Sequence, residues 1–140
     1  MRYVTFTSGS HSAPRLGVLQ GDRIVASTAF GSLLDLIDAG PAGWARTAAD
    51  GPPESTGLRL EDVRLLSPIP TPRRNVFCVA VNYIDHMKEA TAARGREQKI
   101  PEAPVFFTKA TGTMNGPFDA VPWDRTATSQ VDYEAELGVV

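Results

Sequence analysis

The chain has 140 residues, 42% hydrophobic and 21% charged, with a net charge of −2. That balance belongs to a folded globular protein, which excludes a disordered chain and any bulk electrostatic pull towards nucleic acid or an anionic membrane. No apolar run reaches the ~20 residues of a membrane-spanning helix, and the start, Met1-Arg2-Tyr3-Val4-Thr5, lacks the apolar core of a signal peptide, so a cytoplasmic location is expected.

Met1 to Ser8 is a β-branched and aromatic run that predicts a strand, and Ser8-Gly9-Ser10 a turn. Arg15 to Gln20 predicts a second strand, and Gln20-Gly21-Asp22 a tight hairpin turn into a third, Arg23 to Ser27. Gly17, inside the second strand, marks a close approach by a neighbour. Ser32 reads as the N-cap of a helix whose Leu33, Leu34, Leu36 and Ile37 recur at helical spacing and which Gly40-Pro41 stops. Trp44 to Ala49 predicts a second short helix ended by Gly51-Pro52-Pro53, and Leu58 to Leu66 a further strand. Ser67-Pro68-Ile69-Pro70-Thr71-Pro72 has prolines at alternate positions, favours extended backbone, and is the expected boundary between a domain 1–72 and a domain 73–140.

Asn75 to Val81 is nearly all apolar, as in a strand buried on both faces. Cys78 lies within it and reads as a reduced, buried structural thiol, because a single cysteine has no internal partner. Asn82 is placed to cap a helix from Tyr83 to about Ala93, with Asp85 in its first turn and Met87 as a packing residue. Arg94 to Lys99 predicts a mobile loop, Pro104 to Lys109 a strand, and Thr111 to Pro117 a loop turning at Asn115-Gly116. Phe118 to Trp123 is expected to be extended. Trp44 and Trp123 read as packing residues, and Arg73-Arg74 as a solvated pair.

The last stretch, Asp132 to Val140, alternates. Tyr133, Ala135, Leu137 and Val139 fall on one face of a strand, and Asp132, Glu134 and Glu136 on the other. Carboxylates two apart lie about 6.6 Å apart along a strand and point the same way, so they repel unless a cation lies between them. A hard divalent cation with oxygen ligands suits them, and so does a solvated strand face. On the predicted helix, His86 and Glu89 are three apart and share a face, an arrangement in which a carboxylate orients an imidazole for use as a general base; an ordinary surface pair has the same spacing. Lys109 ends an apolar strand, where it can hold an anionic group as a point charge or simply reach water. Tyr83 can hydrogen-bond a ligand or staple the helix.

Taken together, Val79 to Glu89, Pro104 to Lys109 and Val131 to Val140 resemble the fumarylacetoacetate hydrolase family in motif order and spacing. The resemblance spans roughly 75–140; residues 1–72 resemble only weakly the small N-terminal domain of many bacterial members. It implies an α+β chain: a small N-terminal α/β domain, then the first part of a mixed β-sandwich roll of the fumarylacetoacetase type. It further implies a Mg²⁺ or Mn²⁺ ion, with Ca²⁺ in some members, held by Glu134 and Glu136. His86 and Glu89 map onto the family's catalytic dyad, and Lys109 and Tyr83 are substrate-binding candidates. In one branch of the family the residue matching Asp85 also ligates the metal.

The activity so implied is hydrolysis or lysis of a C–C bond in a short 2-oxo or 1,3-dioxo acid, of the acylpyruvate or fumarylpyruvate type met in aromatic catabolism, with His86 activating water. Decarboxylation or isomerisation through the same enolate is the alternative within the family. The small-molecule oxo acid is the expected partner, with no nucleic acid and no membrane, in a homodimer. The family's third metal carboxylate falls beyond Val140, so the chain is expected to be the N-terminal part of a longer enzyme, inactive alone, or else a non-catalytic interaction module keeping the front half of the fold.

Overall fold

The computed structural model describes residues 1–9, 11–49, 57–95 and 100–140. The first half is an antiparallel sheet. Strands β1 (Arg2–Ser8), β2 (His11–Gln20), β3 (Arg23–Ala26), β4 (Leu58–Arg59) and β5 (Val63–Leu65) lie in the order β4-β3-β2-β1-β5. The β2–β3 connection is the predicted two-residue turn, with Gln20 opposite Arg23 and Gly21 at φ 59° in the first central position, where a primed turn calls for glycine. Strand β2 starts four residues earlier than the sequence indicates. Its register slips between Phe6 opposite Arg15 and Ser8 opposite His11, and Pro14 occupies that irregularity, one of the few places in a sheet that tolerates a residue without an N–H.

The predicted strand Leu58 to Leu66 is two strands. A 3₁₀ turn at Leu60–Asp62 breaks it, so that β4 closes one edge of the sheet and β5 the other. This connection forces curvature. Four inter-strand steps of about 4.8 Å separate the edges of a flat five-stranded sheet by ~19 Å, whereas a 3₁₀ turn advances only about 2 Å per residue. The sheet therefore curls, and the turn is fastened to the β2–β3 hairpin by the Leu60 N–H donating to the Asp22 carbonyl at 2.8 Å. Inside lie Phe6, Leu16, Val18, Ile24 and Val25, with Leu36 from the first helix.

That helix, α1 (Leu33–Asp38), begins as predicted. The Asp35 N–H donates to Ser32 Oγ at 3.2 Å and the Ser32 N–H donates to Asp35 Oδ2 at 2.9 Å, a reciprocal capping box. Gly40-Pro41 both stops α1 and starts α2 (Gly40–Ala49): Gly40 takes φ 61°, and Pro41 suits a first helical turn because its missing N–H would have no partner there. The predicted stop at Gly51-Pro52-Pro53 lies outside the described residues. The Trp44 indole N–H donates to the Leu36 carbonyl at 3.2 Å, which joins the helices.

The proline-rich segment is pinned rather than free. Thr5 Oγ1 donates to the Pro68 carbonyl at 2.6 Å, and Ser67 is buried. Arg73 is solvent-exposed, as expected, but it is not unpaired: its guanidinium forms a two-pronged pair with the Asp38 carboxylate, a planar fork matched to two oxygens.

The second half contains a two-stranded antiparallel sheet, β6 (Val76–Val79) with β7 (Phe106–Lys109), and helix α3 (Ile84–Arg94) between them. The apolar run around Cys78 is a strand, but it is not buried on both faces. Phe77 is 71% exposed, Phe106 and Phe107 are exposed, and Cys78 is only partly buried, because a ribbon of two strands has no second layer among the described residues. Helix α3 starts one residue later than expected, with Tyr83 rather than Asn82 as its N-cap and no side-chain capping bond. Gly95 closes it at φ 63°, its N–H donating to the Thr91 carbonyl at 2.9 Å. Met87 is buried, as a packing residue should be. Of the predicted loop, 96–99 lie outside the described residues.

Thr111–Thr113 is a 3₁₀ turn, and the turn expected at Asn115-Gly116 falls two residues later, the Asp119 N–H reaching the Gly116 carbonyl at 3.2 Å across Pro117-Phe118. Phe118 to Trp123 forms no strand, and Trp123 is exposed beneath Arg125, whose guanidinium carbon stands 4.8 Å from the ring centroid. Among the described residues no helix is long and apolar enough to cross a membrane.

Candidate active site

Tyr83, His86, Glu89, Lys109, Glu134 and Glu136 line two hollows that share a wall, and Asp85 lines neither. The first, of about 210 Å³, lies where the β6 end meets the start of α3 and is lined by Tyr83, His86 and Glu89 facing Tyr133, Glu134 and Glu136. The second, of about 400 Å³, is lined by Lys109, Asp132, Glu134 and Glu136. Local rules account for the placement. Tyr83, His86 and Glu89 recur every third residue and so follow one face of α3. Lys109 ends β7, opposite Val76 at the start of β6.

The carboxylate stretch is a different matter. It pairs with no strand among the described residues, and Tyr133, Leu137 and Val139 of its expected buried face are exposed, Tyr133 at 90%. A strand is held by a neighbour's N–H and C=O groups, and among the described residues no strand pairs with it. Asp132, Glu134 and Glu136 nevertheless line the same hollow. A side chain does the holding instead. The Leu137 N–H donates to the Tyr83 hydroxyl at 3.0 Å, across 54 positions of sequence.

The imidazole of His86 stands with Nε2 at 3.6 Å from Glu134 Oε1, both side chains more than half exposed. No hydrogen bond joins it to Glu89, the partner that spacing selects, although both line the same hollow. Lys109 has no carboxylate within ion-pair distance among the described residues; its Nζ lies 5.9 Å from the Phe107 ring centroid. Asp85 lines neither hollow. Its Oδ1 accepts from Lys88 Nζ at 2.8 Å, and that hydrogen bond holds its carboxyl below the usual range. Asn82 and Tyr133 were not selected by sequence as site residues, yet they line the first hollow, and Asp132, placed by sequence on the carboxylate face but given no role, lines the second. The place of Asn82 at a strand end was the available signal.

For a divalent ion the donors fit in kind but make only part of a sphere. Glu134 and Glu136 supply oxygen, the donor hard cations prefer, on the wall both hollows share. Among the described residues no group of three or more His, Cys, Asp or Glu side chains is gathered closely enough to enclose an ion.

Comparison with known proteins agrees with the motifs. The family described as fumarylacetoacetate (FAA) hydrolase C-terminal matches residues 75–140, and the family described as Rv2993c-like, N-terminal matches residues 1–68. The chain is 40% identical over 119 residues to oxaloacetate tautomerase YisK of Bacillus subtilis, covering 79% of this chain and 38% of that protein. It is 30% identical to the mitochondrial oxaloacetate tautomerase fahd2 of Xenopus laevis and 29% identical to FAHD2A of Homo sapiens, covering 100% of this chain and 44% of each. The chain thus spans well under half the length of the curated relatives it matches.

Proposed function

The chain belongs to the fumarylacetoacetate hydrolase family, and from that premise we propose that it carries part of a site that moves a proton within a short 2-oxo acid, a tautomerase activity of the kind named for its relatives. The observation that carries this reading is the shared wall. One imidazole meets Glu134 at 3.6 Å, and the Glu134–Glu136 pair separates it from the ammonium of Lys109.

The roles follow from the chemistry of each group. Lys109 binds the substrate carboxylate as a point charge, and the Tyr83 hydroxyl, with its own proton to give, donates to a substrate oxygen. Glu134 and Glu136 would hold the family's divalent ion (Mg²⁺ or Mn²⁺, with Ca²⁺ also suited to oxygen donors), which when bound supplies a Lewis acid for the oxo group. His86 takes a proton from the carbon beside that group. The C–H electron pair becomes the C=C bond, the C=O pair moves to oxygen, and oxygen takes up a proton, so the keto and enol forms differ only in where one proton sits. Glu89, one turn along the same face, places negative charge near the imidazolium that forms.

Hydrolysis of a C–C bond in an acylpyruvate or fumarylpyruvate is the second reading. It needs water at His86, and the half-exposed imidazole gives water a path. The division at 72/73, a β-sandwich roll completed by further chain, a homodimer and a cytoplasmic location belong to this proposal; the vertebrate relatives are named as mitochondrial.

The test is the decay of the oxaloacetate enol absorbance with Mn²⁺, for the protein and for His86→Ala. The variant should lose about 10²–10⁴-fold in kcat, with a much smaller change in Mn²⁺ affinity. An unchanged rate overturns the reading. Release of two acids from an acylpyruvate, without faster ketonisation, selects the hydrolase. Neither activity, in a protein that binds no Mn²⁺, leaves an interaction module.

A further inference from the structure

We infer that Tyr83 is a positioning residue that fixes the carboxylate segment against the helix bearing His86, an inference that rests on the reading just proposed. The segment 131–140 needs such a device. It has no strand partner among the described residues, and its apolar side chains are exposed, so neither a ladder nor a core sets where Glu134 and Glu136 stand.

Only two polar links tie the segment to α3 among the described residues. One is the His86–Glu134 approach at 3.6 Å, between two long-reach, half-exposed groups. The other is the Leu137 N–H donating to Tyr83 Oη at 3.0 Å, which is shorter and ends on the backbone. A bond to the backbone fixes where the chain runs; a bond between side-chain tips leaves it free.

Tyr83 is well suited to this. It is the N-cap residue of α3, three positions before His86, so its ring projects from the same face as the imidazole. It has only two side-chain torsions, and its oxygen can accept one hydrogen bond while its proton is given to another group. Leu137 is the residue next to Glu136. The link thus runs from the helix that presents the base to the chain that presents the carboxylates, and it sets the spacing of the imidazole and the carboxylates that would hold an ion.

The test compares the protein with Tyr83→Phe, which keeps the ring and removes the hydroxyl. Hydrogen exchange of the Leu137 amide should speed up by about tenfold, the worth of one ordinary hydrogen bond, while amides of the N-terminal sheet exchange as before. Mn²⁺ affinity, measured without substrate, should fall several-fold. A residue that only contacts substrate would raise KM and leave both of these readouts unchanged, and that result overturns the inference. So does faster exchange at Leu137 with unaltered Mn²⁺ affinity. If neither protein binds Mn²⁺ but the exchange difference is found, the tether stands and the metal reading is what fails.

Discussion

A Cβ placed on Gly17 would come within 2.5 Å of Ile24 Cγ2, 2.9 Å of Phe6 Cε1 and 3.1 Å of the Val25 carbonyl. Ile24 and Phe6 are among the fully buried side chains, so neither has room to withdraw. Gly17→Ala should therefore destabilise the protein by about 1–3 kcal/mol, the cost of overpacking a filled core, read as a lower midpoint in urea with an unchanged slope. A wild-type midpoint would mean that the sheet yields at little cost. This close approach was legible in the sequence, because glycine gives a strand no side chain to pack and suits it best where a neighbour leaves no room for one. The partners of the site residues were not. Spacing selects Glu89 for His86, but the imidazole meets Glu134, and Tyr83 meets Leu137; both contacts join distant parts of the chain, and no local periodicity encodes them.

At the scale of elements, the start of α1 rests on a bond in each direction between Ser32 and Asp35. Ser32→Ala removes the acceptor for one orphan N–H of the first turn and should cost about 1 kcal/mol, whereas Ser32→Asp should restore most of it. Equal stability of Ser32→Ala and the parent, in thermal unfolding, would show that the Leu36 contact alone holds the helix. Capping is local in sequence, which is why this helix start could be read directly. Gly40-Pro41 was legible only as a stop, because the same pair that ends one helix can open the next. Leu58 to Leu66 has the composition of one strand, and nothing within it says that its halves serve opposite edges of a curled sheet. The run at Cys78 misleads for a related reason: an unbroken apolar pattern states that cover is wanted, not that the described chain provides it.

At the scale of the molecule, two exposed ion pairs link the halves. Arg64 of β5 reaches Asp119 Oδ1 at 2.9 Å, and Arg73 holds Asp38 at the end of α1. The second has a consequence for pH. The hydrogen bond from Arg73, helped by its charge, keeps the Asp38 carboxyl below its usual range. A carboxyl depressed in the folded state binds its proton more readily when unfolded, where its pKa is about 3.9. The pair's contribution is therefore present above that value and is lost as pH falls through the lower folded value. Because both partners are solvent-exposed, the effect is modest and salt weakens it. Asp38→Asn should thus lower the thermal midpoint slightly at pH 7, and the gap to the parent should close below about pH 4 and narrow in high salt. A gap that persists unchanged at pH 2 would assign the loss to packing around Asp38 rather than to its charge. The charge account has one further requirement: Arg73→Gln should reproduce the midpoint of Asp38→Asn at pH 7, and the double variant should be no less stable than either, since removing a partner already lost costs nothing more.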